Sequence, residues 1–268
     1  MQTFTANDVK QLRTTTGAGM LDAKNALAAS AGNRDTAIRW LRERGLTQTA
    51  QCANTTSTQG AIALSYQPDT HTVALAQLLC QTDFAAKTPT FNELAQQIAT
   101  TVTQHGEDAA QQHQTAIQNL GVALRENVQL GGTVRFQTSP GNTLGWYLHT
   151  QAGHGVNGTI IEITGENSQL AHTIAMHIAY GQPQHLSCQD IPAAELEREL
   201  AVFTAQAQRQ GKPAAIVPQI AQGQLRAWLQ RAPGGILLEQ HLAGDDRTTV
   251  QEALGQAAIV RYAQLLIH

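Results

Sequence analysis

The sequence predicts an α+β protein, because helical and strand-like patterns occupy separate stretches of the chain instead of alternating regularly. Apolar residues recur at helical spacing over residues 1–45, and strand-like apolar runs follow at 61–66 and 72–79. After two more helical stretches, strand-like runs return at 128–137, 144–150 and 158–163. We therefore expect a three-helix domain, then two related α+β subdomains, with an antiparallel helical hairpin inserted in the second.

Length and charge narrow the possible functions. A chain of 268 residues can form two to three small domains, each with a hydrophobic core. A net charge of −3 argues against direct binding of nucleic acid, which depends on a basic surface. Because no apolar stretch reaches about 18 residues and the N-terminus lacks a signal-peptide pattern, we expect no membrane contact and a cytoplasmic location. The three cysteines form no motif, which fits a reducing compartment.

The first 45 residues are predicted to form three short helices. Thr5 and Asp8 make a capping-box-like start for the first helix, and the third helix is expected to end at Gly45. Residues 46–59 are polar, rich in Thr and Gln, and without periodicity. This composition predicts a linker.

Residues 60–140 are predicted to form the first α+β subdomain. The runs 61–66 and 72–79 are separated by a turn signal and predict a β-hairpin. Thr88 followed by Pro89 is typical of a helix start, so a helix is expected over 89–105. A second helix is expected over 109–124.

Residues 141–189 and 232–268 are predicted to form the second subdomain, with helices over 169–179 and 250–257. Its last segments are expected to be strands at 236–239 and 259–266. The inserted segment 190–231 predicts two helices that reverse at the sequence Gly-Lys-Pro. Such a hairpin either contacts a partner, including a second copy in a homodimer, or only supports its own subdomain.

Catalytic motifs are absent from the sequence. It has no GxxxxGK[ST] loop, no GxSxG elbow and no HExxH, and its ten histidines lack metal-ligand spacing. Cys80 lies in an apolar run, which favours an inert core thiol over a nucleophile. We expect no enzyme activity, no cofactor and no metal. A hydrolase or thiol enzyme that uses Cys80 with a histidine is the alternative.

The segment between the strand at 72–79 and the helix at 89–105 is polar and aromatic. It places Asp83 beside Phe84 on a short turn. Most aromatic residues lie in the core, so one alternative is that Phe84 folds under the loop. The other is that the two flanking elements hold the ring outward for a partner.

Four motifs resemble signatures of the elongation factor Ts family, the guanine-nucleotide exchange factors for elongation factor Tu. They are LRTTTGAGMLDAK at 12–24, CQTDFAAK at 80–87, IAMHIA at 174–179 and QGKP at 210–213. The first two are long and specific, and the four occur in the family's order. All four lysines of the chain lie at or beside these motifs.

The resemblance implies a fold, a partner and a site. The three-helix domain would have a ubiquitin-associated-like fold and would dock on the nucleotide-binding domain of elongation factor Tu, in its GDP-bound and nucleotide-free forms. Asp83 and Phe84 would insert as a wedge near the Mg²⁺ and phosphate site and promote GDP release. The implied contact residues are Lys10, Arg13, Met20, Leu21, Lys24, Thr82, Asp83, Phe84, Leu124, Arg125, His149 and His177. The alternative is a divergent chaperone or sequestering partner of elongation factor Tu without efficient exchange.

Three features depart from the family pattern. Arg125 stands where the family usually has Gly, which puts a bulky charge at an implied contact site. Ala85 is smaller than the Val often found beside the wedge, which would loosen its support. No additional C-terminal helix is expected after the last strand, which would lower the affinity for the partner.

Overall fold

The computed structural model describes residues 4–16, 18–52, 57–245 and 247–267, with only the backbone of Arg42 and of 45–52. Gly17 of the first motif and residues 53–56 of the predicted linker lie outside this part. Within it the α+β class is confirmed. The helices are α1 (Ala6–Thr16), α2 (Met20–Ala29), α3 (Arg34–Cys52), α4 (Asp83–Ala86), α5 (Pro89–His105), α6 (Gln114–Leu124), α7 (Ser168–Gly181), α8 (Ala193–Arg209), α9 (Val217–Gln230) and α10 (Val250–Leu254). The strands are β1 (Gln59–Gln67), β2 (Thr72–Cys80), β3 (Gln129–Gln137), β4 (Asn142–Gln151), β5 (His154–Thr164) and β6 (Ile259–Leu266).

The chain divides into two compact units. Unit 1 consists of Met1–Gln137, Leu148–Gly158 and Leu265–His268, and unit 2 consists of Thr138–Tyr147 and Thr159–Gln264. Each of β4, β5 and β6 contributes residues to both units. No helix in the described part of the chain combines the length and apolar character needed to cross a membrane.

The N-terminal helices α1, α2 and α3 enclose a small core of their own in unit 1. Leu12 and Leu27 are among its fully buried members. The predicted cap of α1 is present, because the Thr5 backbone N–H donates to Asp8 at 2.7 Å and the Asp8 N–H donates to the Thr5 hydroxyl at 3.3 Å. The predicted end of the third helix at Gly45 was wrong, since α3 continues to Cys52.

The sheet of unit 1 has the order β3-β2-β1-β5, and the predicted hairpin of β1 and β2 is confirmed. These two strands pair antiparallel, with Gln59 opposite Cys80. Helix α5 begins at Pro89 as predicted and buries Phe91 and Ile98 against the sheet. This packing fixes the carboxyl end of β2, from which the chain enters the turn that contains Phe84.

Helix α6 ends in a tight reversal within unit 1. Arg125 follows the helix in the left-handed conformation, with φ of 59°, and its N–H donates to the Gly121 carbonyl. The Glu126 N–H donates to the same carbonyl at 3.1 Å. A side chain at Gly121 would approach the Glu126 carbonyl oxygen to 2.9 Å, so glycine permits this close return of the chain. The predicted helical stretch at 109–124 is divided, because Glu107–His113 forms a 3₁₀ segment before α6.

In unit 2, strand β5 lies between β4 and β6 and packs beneath α7. The fully buried side chains include Ile161, Ile174 and Ile178. Glu162 also faces inward, and its carboxylate accepts hydrogen bonds from the backbone of Ser139 and from two side chains. A buried charge of this kind requires such partners.

The helical hairpin of α8 and α9 is confirmed as two helices separated by residues 210–216. The strand predicted at 236–239 was wrong, because Leu237–Glu239 is a 3₁₀ helix and only Ile236 forms an isolated bridge, with His185. The Glu239 and Gln240 N–H groups both donate to the Ile236 carbonyl. These local bonds turn the chain where an apolar run favoured an extended strand.

Candidate partner-binding site

Residues 81–87, here called the 81–87 turn, present Phe84 to solvent. Thr82 is the N-cap of α4, and its hydroxyl oxygen accepts the Ala85 N–H at 3.3 Å. Phe84 is 78% exposed, more than any other large apolar side chain in the described residues. This exposure excludes the buried position under the loop that the sequence left open. Thr88 has the backbone conformation of an N-cap of α5, but its side chain does not cap that helix. Its hydroxyl instead donates to the Ala85 carbonyl at 2.8 Å and supports the turn.

The charges beside Phe84 form an ion pair on the turn itself. The Lys87 ammonium donates to the Asp83 carboxylate at 2.5 Å, and it lies 6.0 Å from the centre of the Phe84 ring. The hydrogen bond from Lys87 lowers the pKa of Asp83. Asp83 is therefore a carboxylate at neutral pH, and the turn presents an aromatic ring flanked by one negative and one positive charge.

Glu126 supports this turn from the other side, and the sequence did not indicate it. One carboxylate oxygen accepts the N–H groups of Gln81 and Thr82, both at 3.1 Å, and the other accepts the Thr82 hydroxyl. In return, the Gln81 side-chain oxygen accepts the Asn127 N–H at 3.4 Å. The donors precede Glu126 by 44 and 45 residues, so no local pattern connects them.

Leu124 and Arg125 occupy the reversal after α6. Leu124 is half-buried and packs against the core of the sheet. The Arg125 guanidinium forms an ion pair with Asp22 on α2. Arg125 has a positive φ, a conformation that glycine adopts easily. This fits a position at which the resemblance implies Gly and this chain has Arg. Its charge is paired with α2 of the same unit.

Helices α1 and α2 carry the other implied contact residues at the surface. Met20 and Leu21, at the start of α2, are 55% and 67% exposed. Lys10 and Arg13 on α1, and Lys24 on α2, are also exposed. The three-helix domain thus has an apolar pair and three basic side chains available for a partner.

The two implied histidines differ in their surroundings. His149 is exposed on the part of β4 that belongs to unit 1. His177 is fully buried in unit 2: its Nδ1 accepts the Ala243 N–H at 3.1 Å, and its Nε2 lies 2.9 Å from the Gln240 side-chain oxygen. Burial lowers the pKa of His177. The expectation that His177 contacts a partner directly is therefore corrected: it is a neutral core residue that fixes the segment around Gln240.

The thiol of Cys80 is unsuited to nucleophilic catalysis. Cys80 is fully buried, and burial, with the nearby charge of Glu126, raises its pKa to about 12. The thiol donates to the Thr82 carbonyl at 3.2 Å and so supports the turn. Among the residues that the structure describes, no three His, Cys, Asp or Glu side chains are grouped so that they could hold a metal ion.

An exposed aromatic side chain on a fixed turn, together with an apolar and basic helix surface, is typical of a protein-binding module. The family described as Elongation factor TS matches residues 81–266. An elongation factor Ts from Nitratidesulfovibrio vulgaris (strain DP4) is 35% identical over 266 residues, which cover 95% of this chain and 90% of that protein. One from Clavibacter michiganensis subsp. michiganensis (strain NCPPB 382) is 33% identical over 277 residues, with coverage of 97% and 96%. The chain belongs to the elongation factor Ts family and is thus a factor of translation elongation.

Proposed function

We propose that this chain binds elongation factor Tu and promotes the release of GDP from it, with Phe84 as the inserted side chain. The observation that carries the proposal is the 78% exposure of Phe84 on a turn that is capped by Thr82 and braced by Glu126. Exposing a large apolar ring to water is unfavourable in the free protein. A partner that buries the ring gains this free energy on binding.

The mechanism requires no covalent chemistry from this chain. Full burial of a Phe side chain is worth about 1.5–3 kcal/mol. If the ring fits only the partner from which GDP has left, this free energy favours the nucleotide-free state and weakens the binding of GDP by the same amount. Each 1.4 kcal/mol corresponds to a tenfold change in affinity, so Phe84 alone accounts for about 10- to 100-fold.

The three-helix domain supplies docking, as a separate contribution. Leu21 and Met20 offer apolar surface, and Lys10, Arg13 and Lys24 offer positive charge to an acidic surface of the partner. Docking that does not distinguish between the GDP-bound and nucleotide-free partner increases affinity but not exchange. Because docking and insertion are separate contributions, we expect substitution of docking residues to change the half-saturating concentration and substitution of Phe84 to change the maximal rate. The site of action is the cytoplasm, and no direct contact with nucleic acid is required.

The test is the release of fluorescent GDP from elongation factor Tu at increasing concentrations of this chain. We expect the wild type to accelerate release, and Phe84→Ala to lower the maximal rate by about 10- to 100-fold. Tyr66→Ala is the matched control, because Tyr66 is another exposed aromatic residue of unit 1 outside the site. Binding of the wild type without faster release would refute exchange and support the chaperone or sequestering alternative.

A further inference from the structure

We infer that Glu126 is a positioning residue that holds Phe84 in the orientation needed for nucleotide exchange. This inference rests on the proposed function, since it assigns Glu126 an effect on the step in which Phe84 takes part. Glu126 is not placed among the contact residues implied by the resemblance. Its role follows from the hydrogen bonds that it makes to the 81–87 turn.

The turn needs support from outside because its helix is very short. Helix α4 has four residues, Asp83–Ala86, and a single helical turn in water does not form stably by itself. The ion pair of Asp83 with Lys87 is exposed, and such pairs are weak. The exposed ring of Phe84 makes few contacts that would fix it from its own side. The buried Ala85 and Ala86 and the Thr88 hydroxyl hold the C-terminal side of α4, and the backbone at 81–82 holds the side from which the chain enters Phe84.

Glu126 fixes residues 81 and 82 at three points, two backbone N–H groups and one side-chain hydroxyl. Its carboxylate accepts the N–H groups of Gln81 and Thr82 and the hydroxyl of Thr82. Hydrogen bonds to a charged acceptor are about twice as strong as neutral ones. Because the Thr82 hydroxyl oxygen also accepts the Ala85 N–H, the same contact orders the N-terminus of α4, one residue before Asp83. A shift of Glu126 is thus transmitted to Phe84 through the cap.

The position of Glu126 is itself well defined. Its N–H donates to the Gly121 carbonyl at 3.1 Å, which ties it to the end of α6. The next residue, Asn127, is buried, and its N–H donates to the Gln81 side chain at 3.4 Å. The chain at 126–127 and the chain at 81–82 therefore hold each other through reciprocal bonds. A displacement of either segment breaks contacts on both.

The expected signature is a loss of maximal exchange rate at unchanged docking. Glu126→Ala removes all three acceptor contacts but no atom of Phe84 or of α1 and α2. A displacement of about 1 Å at a reacting or inserting group can cost about 100-fold in rate, so we expect a fall of about 10- to 100-fold in maximal GDP release. The concentration of half-saturation should change less than about threefold, since the docking side chains lie on α1 and α2, which pack in a core of their own. Glu126→Gln is the conservative variant: its side-chain oxygen can accept both N–H groups, and its amide can donate to the Thr82 hydroxyl oxygen.

The experiment measures fluorescent-GDP release from elongation factor Tu for the wild type, Glu126→Ala, Glu126→Gln, Phe84→Ala and the double variant Glu126→Ala/Phe84→Ala. Thermal unfolding of each variant gives the stability separately. We expect Glu126→Gln to remain within about threefold of the wild type, and the double variant to match Phe84→Ala, because Glu126 acts through Phe84.

Three outcomes would overturn the inference. The first is a wild-type maximal rate for Glu126→Ala. The second is that Glu126→Ala lowers the maximal rate by the same factor in the wild type and in Phe84→Ala, which would indicate general destabilisation. Thr82→Val provides a further check if Glu126→Ala unfolds, because it removes the hydroxyl that donates to Glu126 and accepts the Ala85 N–H. It should lower the maximal rate severalfold, and an unchanged rate contradicts the role of the cap. The third is a wild type that does not accelerate release, which refutes the proposed function and with it this inference. If the maximal rate falls for Phe84→Ala but not for Glu126→Ala, the proposed function stands and only the role of Glu126 is rejected.

Discussion

Replacement of Glu162 tests whether a single buried carboxylate holds the sheet of unit 2 together. Its side chain is fully buried, and one oxygen accepts the Ser139 N–H at 2.8 Å and the Asn142 amide at 2.9 Å. The other oxygen accepts Arg261 Nε at 2.7 Å. These bonds connect the beginning of β4 and the strand β6 to the central strand β5. Glu162 is thus the common acceptor for three segments.

The expected loss in the free energy of unfolding follows from these three hydrogen bonds. A hydrogen bond to a charged group contributes about 1.5–3 kcal/mol, but the donors here are partly exposed and regain water when the acceptor is removed. We therefore expect Glu162→Ala to lower the free energy of unfolding by about 2–4 kcal/mol. Glu162→Gln keeps an acceptor for Ser139 and Asn142 but loses the charge opposite Arg261, and should cost about 1–2 kcal/mol.

The dependence on pH distinguishes the charge from the packing. Burial alone would raise the pKa of Glu162, but the hydrogen bonds from Asn142, Ser139 and Arg261 together lower it below its ordinary value. A group with a lowered pKa in the folded state stabilises the protein fully above its unfolded pKa, about 4.3, and this contribution is lost as the pH falls through the folded-state pKa. The difference between the wild type and Glu162→Gln should therefore shrink between pH 7 and pH 3.

Urea unfolding followed by tryptophan fluorescence measures these differences, because Trp146 and Trp228 both lie in unit 2. Glu166→Ala is the control, since Glu166 is an exposed glutamate close to Glu162 in sequence. A cost of Glu162→Ala no greater than that of Glu166→Ala would refute the role of the Glu162 carboxylate. A difference between the wild type and Glu162→Gln that is the same at pH 3 as at pH 7 would refute the contribution of its charge.

Two further predictions concern docking and the thiols. Because Leu21 is 67% exposed, Leu21→Ala should remove about 1–2 kcal/mol of binding and raise the half-saturating concentration in the GDP-release assay about 5- to 30-fold, at an unchanged maximal rate. Val260→Ala, at an exposed apolar site on β6, is its control, and an equal effect of the two would contradict docking through α2. Because Cys80 is fully buried and its pKa is raised to about 12, its thiol should stay unmodified by iodoacetamide at pH 8. The pKa of Cys188 is also raised, by partial burial and by the charge of Glu239, but its exposure should let it react, as read by peptide mass spectrometry. Equal labelling of both cysteines would show that Cys80 is accessible, and Cys80→Ser should leave GDP release unchanged.

The elements with strong local signals could be predicted from the sequence. Helix α5 begins at Pro89 and ends before Gly106, and strand β6 covers the predicted 259–266, since periodicity and terminal residues coincide there. The segment 236–239 could not be predicted, because an apolar run of this length fits a strand as well as a 3₁₀ turn. Local bonds to the Ile236 carbonyl turn the chain there, and bonds to distant residues hold the turn in place: the Leu237 N–H donates to the His185 carbonyl, and the buried Gln240 amide donates to Gly181.

The residues of the candidate site also differ in how far the sequence could indicate them. Motif resemblance indicated Phe84 and the exposed residues of α2, because their chemistry is visible in a short stretch of sequence. It also indicated His177, whose side chain faces the core. Position on a helix face depends on what covers that face, and a motif does not contain this information. Glu126 gave no signal at all, since the groups that it binds lie 44 and 45 residues earlier in the chain.

Arg125 and Glu126 show how one backbone reversal serves both parts of unit 1. A left-handed conformation costs a residue other than glycine about 1–2 kcal/mol. The exposed ion pair of Arg125 with Asp22 contributes at most about 1 kcal/mol and does not by itself offset this strain. The three hydrogen bonds to the Glu126 carboxylate are each worth more than a neutral bond, and they form only if the chain reverses at Arg125. The support of the 81–87 turn therefore stabilises the strained residue, and the contact of Arg125 with α2 is a consequence of the same reversal.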